Sequence, residues 1–553
     1  MKASRYLAPA LTLASLVACS GGSSGGTTPT TLSCPSPAMV DLAVGQSVVL
    51  DPTPSGGCIQ FPDPAGTSTE HLVVAVATNG VESTNGTSTN YSLTGGEAVA
   101  PAPPVVGALS MGGFRKPANA AAFHSYLRQM DRGLALGMGT SVIAAAPPIR
   151  RAPPILGSQR TFSVCKSTLC TSFATVTATA KYVGSDAAIY QDNASPSGGY
   201  TQNGIDSAGA LFENPTYGLH LIDVTAFGSE SDLDGNGVVI ILLTPAVNKL
   251  SGTCSGGVIA GYFLGLDLTS GAGSNQGEVF YSMVPDPSNS TGTCAIPTDF
   301  ASRLLPVTFI HEFQHMISFN QHVLVGGSGF TEDTWLNEGL SHYAEELGGR
   351  QIDDAVCANT SCLGQYASDN FYNAYDYLVN PEATYLIEPG TSTGTLAERG
   401  ANWLFVRWLV DQFAPDNPLG TTFTRQLVMT AEHGFANVES RTGVPFSTLI
   451  PQWQLANYLE GDTTFVQSPA TKRFRYDSWD FRRVYTSNPG SFLRPYPLVP
   501  QVMSTAINRP GTLRAGSGVH LLVDRAPGDT AANLRLTTGN AAAQARFGVV
   551  RVK

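Results

Sequence analysis

Apolar residues recur along the chain at two different spacings. Short continuous or alternating runs, which are typical of strands, occur at 71–77, 171–180, 187–190, 238–243, 261–263 and 279–281. Spacings of three and four, which are typical of amphipathic helices, occur at 306–317, 334–347, 400–413, 421–433 and 446–459. Strand-like runs return near 534–552. The pattern predicts an α+β fold with β-rich segments on both sides of a helical one.

The N-terminus has the pattern of an export signal. Lys2 and Arg5 precede an apolar stretch, 7–17, that is too short to span a bilayer. The sequence Leu-Val-Ala-Cys at 16–19 resembles a bacterial lipobox, which implies cleavage of a signal peptide at 1–18 and lipidation of Cys19. Residues 19–33 are rich in Gly, Ser and Thr, as in a flexible tether. We expect a lipid anchor in the bacterial cell envelope, at the outer membrane or cell surface rather than the inner membrane. The alternative is an ordinary signal peptide with a chance cysteine.

Cysteine usage agrees with an oxidising compartment. The chain has nine cysteines, and eight remain when Cys19 is set aside. Pairing each with its nearest neighbour in sequence gives four disulfides: Cys34–Cys58, Cys165–Cys170, Cys254–Cys294 and Cys357–Cys362. A cysteine zinc site is the less favoured alternative, because no Cys-x-x-Cys spacing is present.

The charge balance argues against one class of partner. Only 13% of the residues are charged, and the formal net charge is −11. No basic patch is visible along the sequence, so nucleic-acid binding is not expected.

The helix predicted at 306–317 contains the motif His311-Glu312-x-x-His315. Positions four apart lie on one face of a helix, so the two imidazoles can bind one Zn²⁺. Glu312, beside the first histidine, can reach a water on that metal and act as a general base. The alternative is a pair of histidines on an ordinary amphipathic helix.

The next predicted helix supplies a third candidate ligand. Glu338 follows His315 after 22 intervening residues, in the sequence Trp-Leu-Asn-Glu-Gly-Leu. A catalytic zinc site needs three protein ligands and one open position. A solvated surface acid is the alternative for Glu338, but apolar neighbours at 335, 336 and 340 disfavour it, since a carboxylate on an apolar stretch needs a partner.

The segments 311–315 and 335–345 together resemble the hyicolysin-type bacterial zinc metallopeptidases and, more distantly, the aminopeptidase N group, which are both gluzincins. The resemblance is close over about residues 300–350. It implies a thermolysin-like catalytic domain with a mixed sheet half and a helical half. It also implies that Glu338 is the third zinc ligand and that Glu345 orients a zinc-binding histidine. An edge strand, 261–263 or 279–281, is implied as the place where a peptide substrate lies.

The sequence departs from the aminopeptidase pattern in two places. No Gly-x-Met-Glu-Asn segment precedes His311, which argues for endopeptidase action. The tyrosine that stabilises the oxyanion in that pattern corresponds here to Ala397, so the donor is unassigned. Three residues remain as low-ranked candidates for this role: Tyr385, Arg399 and His342.

The hexapeptide 232–237 has features of a calcium loop. Asp232, Asp234 and Asn236 alternate along it and could offer oxygen ligands to Ca²⁺, and Gly237 follows at the sixth position. Leu243 stands where a bidentate glutamate is expected in such a loop. A turn before a buried strand explains the same residues equally well.

These patterns divide the chain into five predicted segments: a signal peptide at 1–18, a tether at 19–33, a β-rich N-terminal domain at 34–180, a zinc metallopeptidase domain at 181–461 and a β-rich C-terminal module at 462–553. For 34–180, a β-sandwich, a propeptide-like cover and a spacer all remain open. The predicted function is zinc-dependent hydrolysis of protein or peptide substrates by an exported, lipid-anchored enzyme. The alternatives are an inactive lipoprotein that uses the same fold to bind a partner, and a zinc hydrolase with non-peptide substrates.

Overall fold

The computed structural model describes most of the chain after the N-terminus. The described residues are 32–96, 118–140, 150–253, 258–327, 329–357, 361–390, 394–462, 465, 473–503 and 506–553. The predicted signal peptide, Cys19, most of the tether and Cys254 lie outside them. Within them no helix is long and apolar enough to cross a membrane. Helices and sheets are both abundant, so the α+β prediction is confirmed.

The strands in the described residues are β1 Ala38–Met39, β2 Ser47–Leu50, β3 Cys58–Phe61, β4 Thr69–Ala77, β5 Ser88–Gly95, β6 Gln159–Cys165, β7 Phe173–Val183, β8 Ala187–Asp192, β9 Val239–Leu243, β10 Gly261–Phe263, β11 Val279–Ser282, β12 Gln501–Met503, β13 Ile507–Arg514, β14 Gly518–Arg525, β15 Ala532–Thr538 and β16 Ala545–Arg551. All the strands predicted from apolar runs are present. They form three sheets.

The helices in the same residues are α1 Ala118–Thr140, α2 Gln202–Phe212, α3 Leu219–Phe227, α4 Pro245–Leu250, α5 Thr298–Phe319, α6 Thr334–Gln351, α7 Cys362–Val379, α8 Leu396–Phe413, α9 Thr421–Val428, α10 Gly434–Thr442, α11 Phe446–Leu459 and α12 Phe481–Ser487. The sequence pattern missed α2, α3, α4, α7, α10 and α12. Glycines at 204 and 209 weaken the helical signal of α2, and α12 is too short for periodicity to show.

The central sheet has six strands in the order β10-β11-β9-β8-β7-β6. It is mixed, because β11, β9 and β8 run parallel while β10 and the β6–β7 hairpin are antiparallel to their neighbours. Every residue of β9 is buried, as expected for a continuous apolar run covered on both faces. The strand β10 lies at the edge of this sheet, so its outer backbone groups face away from the other strands.

Strands from the two ends of the chain combine into a β-sandwich. One five-stranded sheet has the order β1-β3-β15-β5-β13 and the other β12-β14-β4-β16-β2. Their inner faces share one apolar core, to which Ile59, Leu93 and Leu534 contribute from one sheet and Val73 and Phe547 from the other. The predicted boundaries at 180 and 462 therefore do not coincide with the sheets. Both end segments build the sandwich, while β6 and β7, placed in the N-terminal domain by the prediction, complete the central sheet.

The helices α5, α6, α7 and α8 pack against one another, which brings the two motif helices into contact, and α5 packs on β10 and β11 of the central sheet. Gly339 on α6 permits this, because a Cβ there would lie 2.8 Å from the backbone oxygen of Asn402 on α8. The helix α5 begins at Thr298, so Pro306 lies inside it and not in its first turn as the sequence suggested. Past Phe319, α5 continues into a π-helical turn at Asn320–Val325.

Three of the four predicted disulfide bonds are present in the described residues. Bonds join Cys34 to Cys58, Cys165 to Cys170 and Cys357 to Cys362. Cys294 is also disulfide-bonded. Its predicted partner, Cys254, lies outside the described residues. The fourth pairing therefore stays a prediction.

Candidate metal centre

The helices α5 and α6 bring three side chains of the predicted site together. His311 and His315 stand one turn apart on the buried face of α5, with ring centroids 4.9 Å apart. Glu338 on α6 faces both rings, its Oε2 lying 3.8 Å from His311 Nε2 and its Oε1 3.7 Å from His315 Nε2. All three residues are buried. The two Nε2 atoms and the carboxylate thus converge on one point, and only the packing of α6 against α5 brings Glu338 to the two histidines.

The outer nitrogen of each imidazole is held by a second residue on α6. His311 Nδ1 lies 2.9 Å from Glu345 Oε1, and His315 Nδ1 lies 3.0 Å from Asn337 Oδ1. A carboxylate and an amide oxygen can only accept, so each Nδ1 carries the proton and each Nε2 keeps its lone pair. That lone pair is what a metal ion binds. The sequence indicated Glu345 for this position. It missed Asn337, which looks like an ordinary helix residue until its partner is known.

Burial and nearby charge place these groups in the ionisation states that suit metal binding. Burial lowers the pKa of His311 and lowers that of His315 well below its usual value, which favours neutral imidazole. Burial alone would raise the pKa of Glu338, but Arg399 and the surrounding imidazoles hold that pKa well below its usual range. Arg399 Nη1 lies 3.4 Å from Glu338 Oε2. Glu338 is therefore a carboxylate, and the site offers two neutral nitrogens and one anionic oxygen.

Glu312 lies beside this cluster and touches the edge of the central sheet. Its Oε2 accepts a hydrogen bond of 2.8 Å from the backbone N–H of Phe263 on β10. The same side chain lines a cleft together with His311 and Glu338. The bond fixes the carboxylate next to the point where the three ligand atoms meet.

A fourth group completes the cluster, and no pattern in the sequence pointed to it. One ring nitrogen of His124, on α1, lies within 4.8 Å of ligand atoms of His311, His315 and Glu338. Two atoms here are buried without a hydrogen-bond partner in the described residues: His124 Nδ1 and Glu338 Oε1. Unpartnered buried polar atoms are costly, and a divalent cation at the centre would satisfy them. The donor set of imidazole nitrogens and a carboxylate oxygen fits Zn²⁺.

No protein-family model matches the chain. The neutral metalloprotease ShpI of Staphylococcus hyicus is 33% identical to it over 121 residues, which is 22% of this chain and 26% of that protein. The chain is distantly similar to a metalloprotease. The matched part spans about a quarter of that relative's length. Among solved structures, a mutant M1 zinc metallopeptidase from Deinococcus radiodurans with a bound Tyr-Ser-Ala substrate shares 16% identity, covers 62% of this chain and 54% of its own, and gives a TM-score of 0.26.

The three candidates for an oxyanion donor lie in different places. Arg399 and His342 line the cleft. His342 contacts Glu345, with 3.2 Å between Nδ1 and Oε2, and Arg399 is shared between Glu338 and Glu388. Tyr385 does not line the cleft. Its ring instead packs near Arg514 of the sandwich, 5.8 Å from the guanidinium carbon.

In the predicted calcium loop, the side-chain oxygens of the three candidate ligands accept hydrogen bonds from residues in the loop or directly after it. Asp234 accepts from both nitrogens of Asn236 at 3.1 Å and pairs with Arg151 at 3.1 Å. Asp232 accepts from the backbone N–H of Gly237, and Asn236 Oδ1 accepts from that of Val238. These bonds are those of a turn leading into β9, which was the alternative interpretation. Glu278 also lies in this cluster. Calcium binding here stays a prediction.

Proposed function

We propose that this protein is a zinc-dependent endopeptidase. The observation that carries the proposal is the convergence of His311 Nε2, His315 Nε2 and the Glu338 carboxylate, with both Nδ1 atoms already engaged. These three residues would hold Zn²⁺. The distant similarity to a metalloprotease supports the same class of reaction.

Each residue of the site has a separate role in the proposed peptide hydrolysis. Zinc, when bound, supplies a Lewis acid that polarises the scissile carbonyl and makes a water more acidic. Glu312 takes the proton of the attacking water and passes it to the leaving amine. Its bond to Phe263 N–H keeps it oriented, and places it beside β10, the edge strand to which an extended substrate can add. Arg399 neutralises part of the negative charge on Glu338.

We propose endopeptidase action because the segment that holds a free amino end in aminopeptidases is absent ahead of His311. Peptides with blocked ends should therefore be cleaved. We also propose that the chain is exported and held at the bacterial cell envelope through lipid on Cys19, which rests on the sequence 1–19.

Substitution of Glu312 tests the proposed function. Glu312→Gln should keep the bound zinc and lower cleavage of a blocked peptide library by roughly 10²–10⁴-fold, because general-base catalysis is lost. Zinc content by elemental analysis and cleavage by mass spectrometry are the readouts. Glu432→Gln, a change at a half-exposed ion pair with Arg441, is the matched control and should leave both unchanged.

Two results would contradict the proposal. The first is a parent protein that binds zinc but cleaves no peptide of the library. This result would favour a partner-binding protein or a hydrolase with other substrates. Equal cleavage by the parent and Glu312→Gln would remove Glu312 from the proposed role.

A further inference from the structure

The helix α1 comes from the chain between β5 and β6 and lies over the candidate metal centre. It presents His124 to the ligand cluster. The His124 ring stands edge-on to that of His311, with centroids 5.7 Å apart, and its Nδ1 lies 3.8 Å from Glu312 Oε1. That Nδ1 is buried and makes no hydrogen bond with any described residue. One ring nitrogen of His124 also lies within 4.8 Å of ligand atoms of His311, His315 and Glu338, which are the surroundings of a metal ligand.

The same helix also occupies the edge of the central sheet. Arg128 Nη2 donates a hydrogen bond of 3.0 Å to the backbone oxygen of Phe263. Asp131 Oδ1 accepts a hydrogen bond of 2.9 Å from the backbone N–H of Gly265. An extended peptide added to β10 would need backbone groups of this kind. Phe123 packs edge-on against Tyr262 of β10, with ring centroids 5.4 Å apart. The helix therefore covers both the metal position and the strand edge that a substrate would use.

Two further contacts fasten α1 across the cleft. Ser125 Oγ accepts a hydrogen bond of 2.6 Å from Arg399, the arginine that pairs with Glu338. One turn beyond Arg128, Arg132 binds both oxygens of Glu82 at 2.6 and 2.7 Å, and Glu82 belongs to the loop between β4 and β5 of the sandwich. The sandwich and α1 are therefore joined by a bidentate, charge-assisted bond that does not involve the metal centre.

We propose that α1 is a built-in inhibitor of the site, with His124 as the fourth zinc ligand. Three protein ligands and an open position make a catalytic zinc site, whereas four protein ligands make a closed one. In the described conformation His124 takes the open position, and α1 takes the place of the substrate strand. Hydrolysis requires α1 to leave. This inference rests on the proposed function, because it concerns the regulation of the same site.

Zinc coordination provides a test that does not depend on activity. X-ray absorption of the zinc-loaded parent should show three imidazole ligands, and the His124→Ala variant should show two with an added water oxygen. Cleavage of a blocked peptide by His124→Ala should rise roughly tenfold or more, because the parent populates the open state only in part. Repeating Glu312→Gln in the His124→Ala background should abolish the gained activity.

A second variant loosens α1 without touching the cleft. Arg132→Ala removes the bond to Glu82 and should also raise cleavage of the blocked peptide. X-ray absorption should then show fewer than three imidazole ligands per zinc on average, because His124 has left the zinc in part of the molecules. The matched control is Arg303→Ala, which breaks an exposed ion pair with Asp299 on α5 and should change neither readout.

The possible results separate this inference from the proposed function. A parent that binds no zinc would overturn both. A parent with zinc on two imidazoles would overturn the inhibitor and leave the peptidase standing. If His124→Ala kept the parent's coordination but lost cleavage, His124 would be a catalytic residue that stabilises the oxyanion, and the inhibitor would be wrong.

Discussion

At the scale of single residues, the metal centre depends on what holds the outer nitrogens of the histidines. Glu345 fixes the His311 ring through its Nδ1 and also contacts His342. The bond makes Nε2 the free nitrogen and raises its basicity. Both effects are lost if the carboxylate becomes an amide that is free to donate its N–H to Nδ1.

We therefore expect Glu345→Gln to weaken zinc binding by about 10–100-fold without unfolding the protein. Competition with a chelator of known affinity gives the zinc dissociation constant, and circular dichroism checks the fold. Glu439→Gln, at a carboxylate that caps the N–H of Phe446 away from the site, is the control. Equal zinc affinity in Glu345→Gln and the parent would show that the ring orientation of His311 has another cause.

The sequence analysis proposed five of the residues that meet here and did not point to others that lie beside them. His311, Glu312 and His315 share one helix, and Glu338 and Glu345 share the next, so helical spacing alone puts each group on one face. His124 and Glu388 reach the same place from other elements. His124 lies on α1 and Glu388 in the segment before α8, so their positions depend on tertiary packing that no local spacing predicts.

At the scale of elements, the close packing of α6, α7 and α8 sets where Arg399 and Asn373 stand around the cleft. Gly400 is a point of close approach between α7 and α8, since a Cβ there would overlap the backbone oxygen of Asn373. Backbone atoms cannot turn away as a side chain can. The two helices would have to move apart to admit a methyl group.

Gly400→Ala should therefore destabilise the protein by about 1–3 kcal/mol, through overpacking. Urea unfolding measures the change. The control is Gly133→Ala on α1, where a Cβ meets nothing within 4 Å and alanine is the better helix former. A Gly400→Ala protein as stable as the parent would mean that α7 and α8 can separate at little cost.

The hydrophobic pattern predicted elements with a clear periodicity, whatever their length, and missed α7 although it has 18 residues. The helices α8 and α11 and the strands β4 and β9 follow clear periodicities, so their predicted ranges nearly match the structure. α9 is shorter than predicted and ends at Val428. At 429–433 the chain turns so that His433 can reach Asp333, with 2.8 Å between Nδ1 and Oδ1, a contact made by tertiary packing.

At the scale of the whole molecule, the sandwich is the feature that the sequence could not give. Alternation predicts that 71–77 and the runs near 534–552 are strands, but it does not say which strand pairs with which. In the structure β4 lies between β14 and β16, so the two ends of the chain are hydrogen-bonded together. The sandwich then packs on α11 of the helical region, through β4 and β16.

His520 lies at this junction and should make it sensitive to acid. It lies on β14, and its Nε2–H donates a hydrogen bond of 2.8 Å to the backbone oxygen of Gln454 on α11. Burial, together with the charge of Arg509, lowers the pKa of His520 to about 4 from its usual 6.5, although the bond to Gln454 acts in the opposite direction. Because the folded pKa lies below the unfolded one, this stability is complete above pH 6.5. It is lost as pH falls through 6.5 towards 4, where the unfolded chain takes up the proton first.

The loss should amount to roughly 3 kcal/mol of unfolding free energy between about pH 7 and pH 4. His520→Gln keeps a donor for Gln454 but does not titrate, so its unfolding free energy should fall less steeply over that interval. Urea unfolding at a series of pH values measures both slopes. His433→Gln provides the contrast, because the bond to Asp333 raises the pKa of His433 and gives its contribution the opposite sign. If His520→Gln follows the parent's curve, the acid sensitivity of the fold arises elsewhere, with His71 on β4, whose pKa burial also lowers to about 4, as the next residue to substitute.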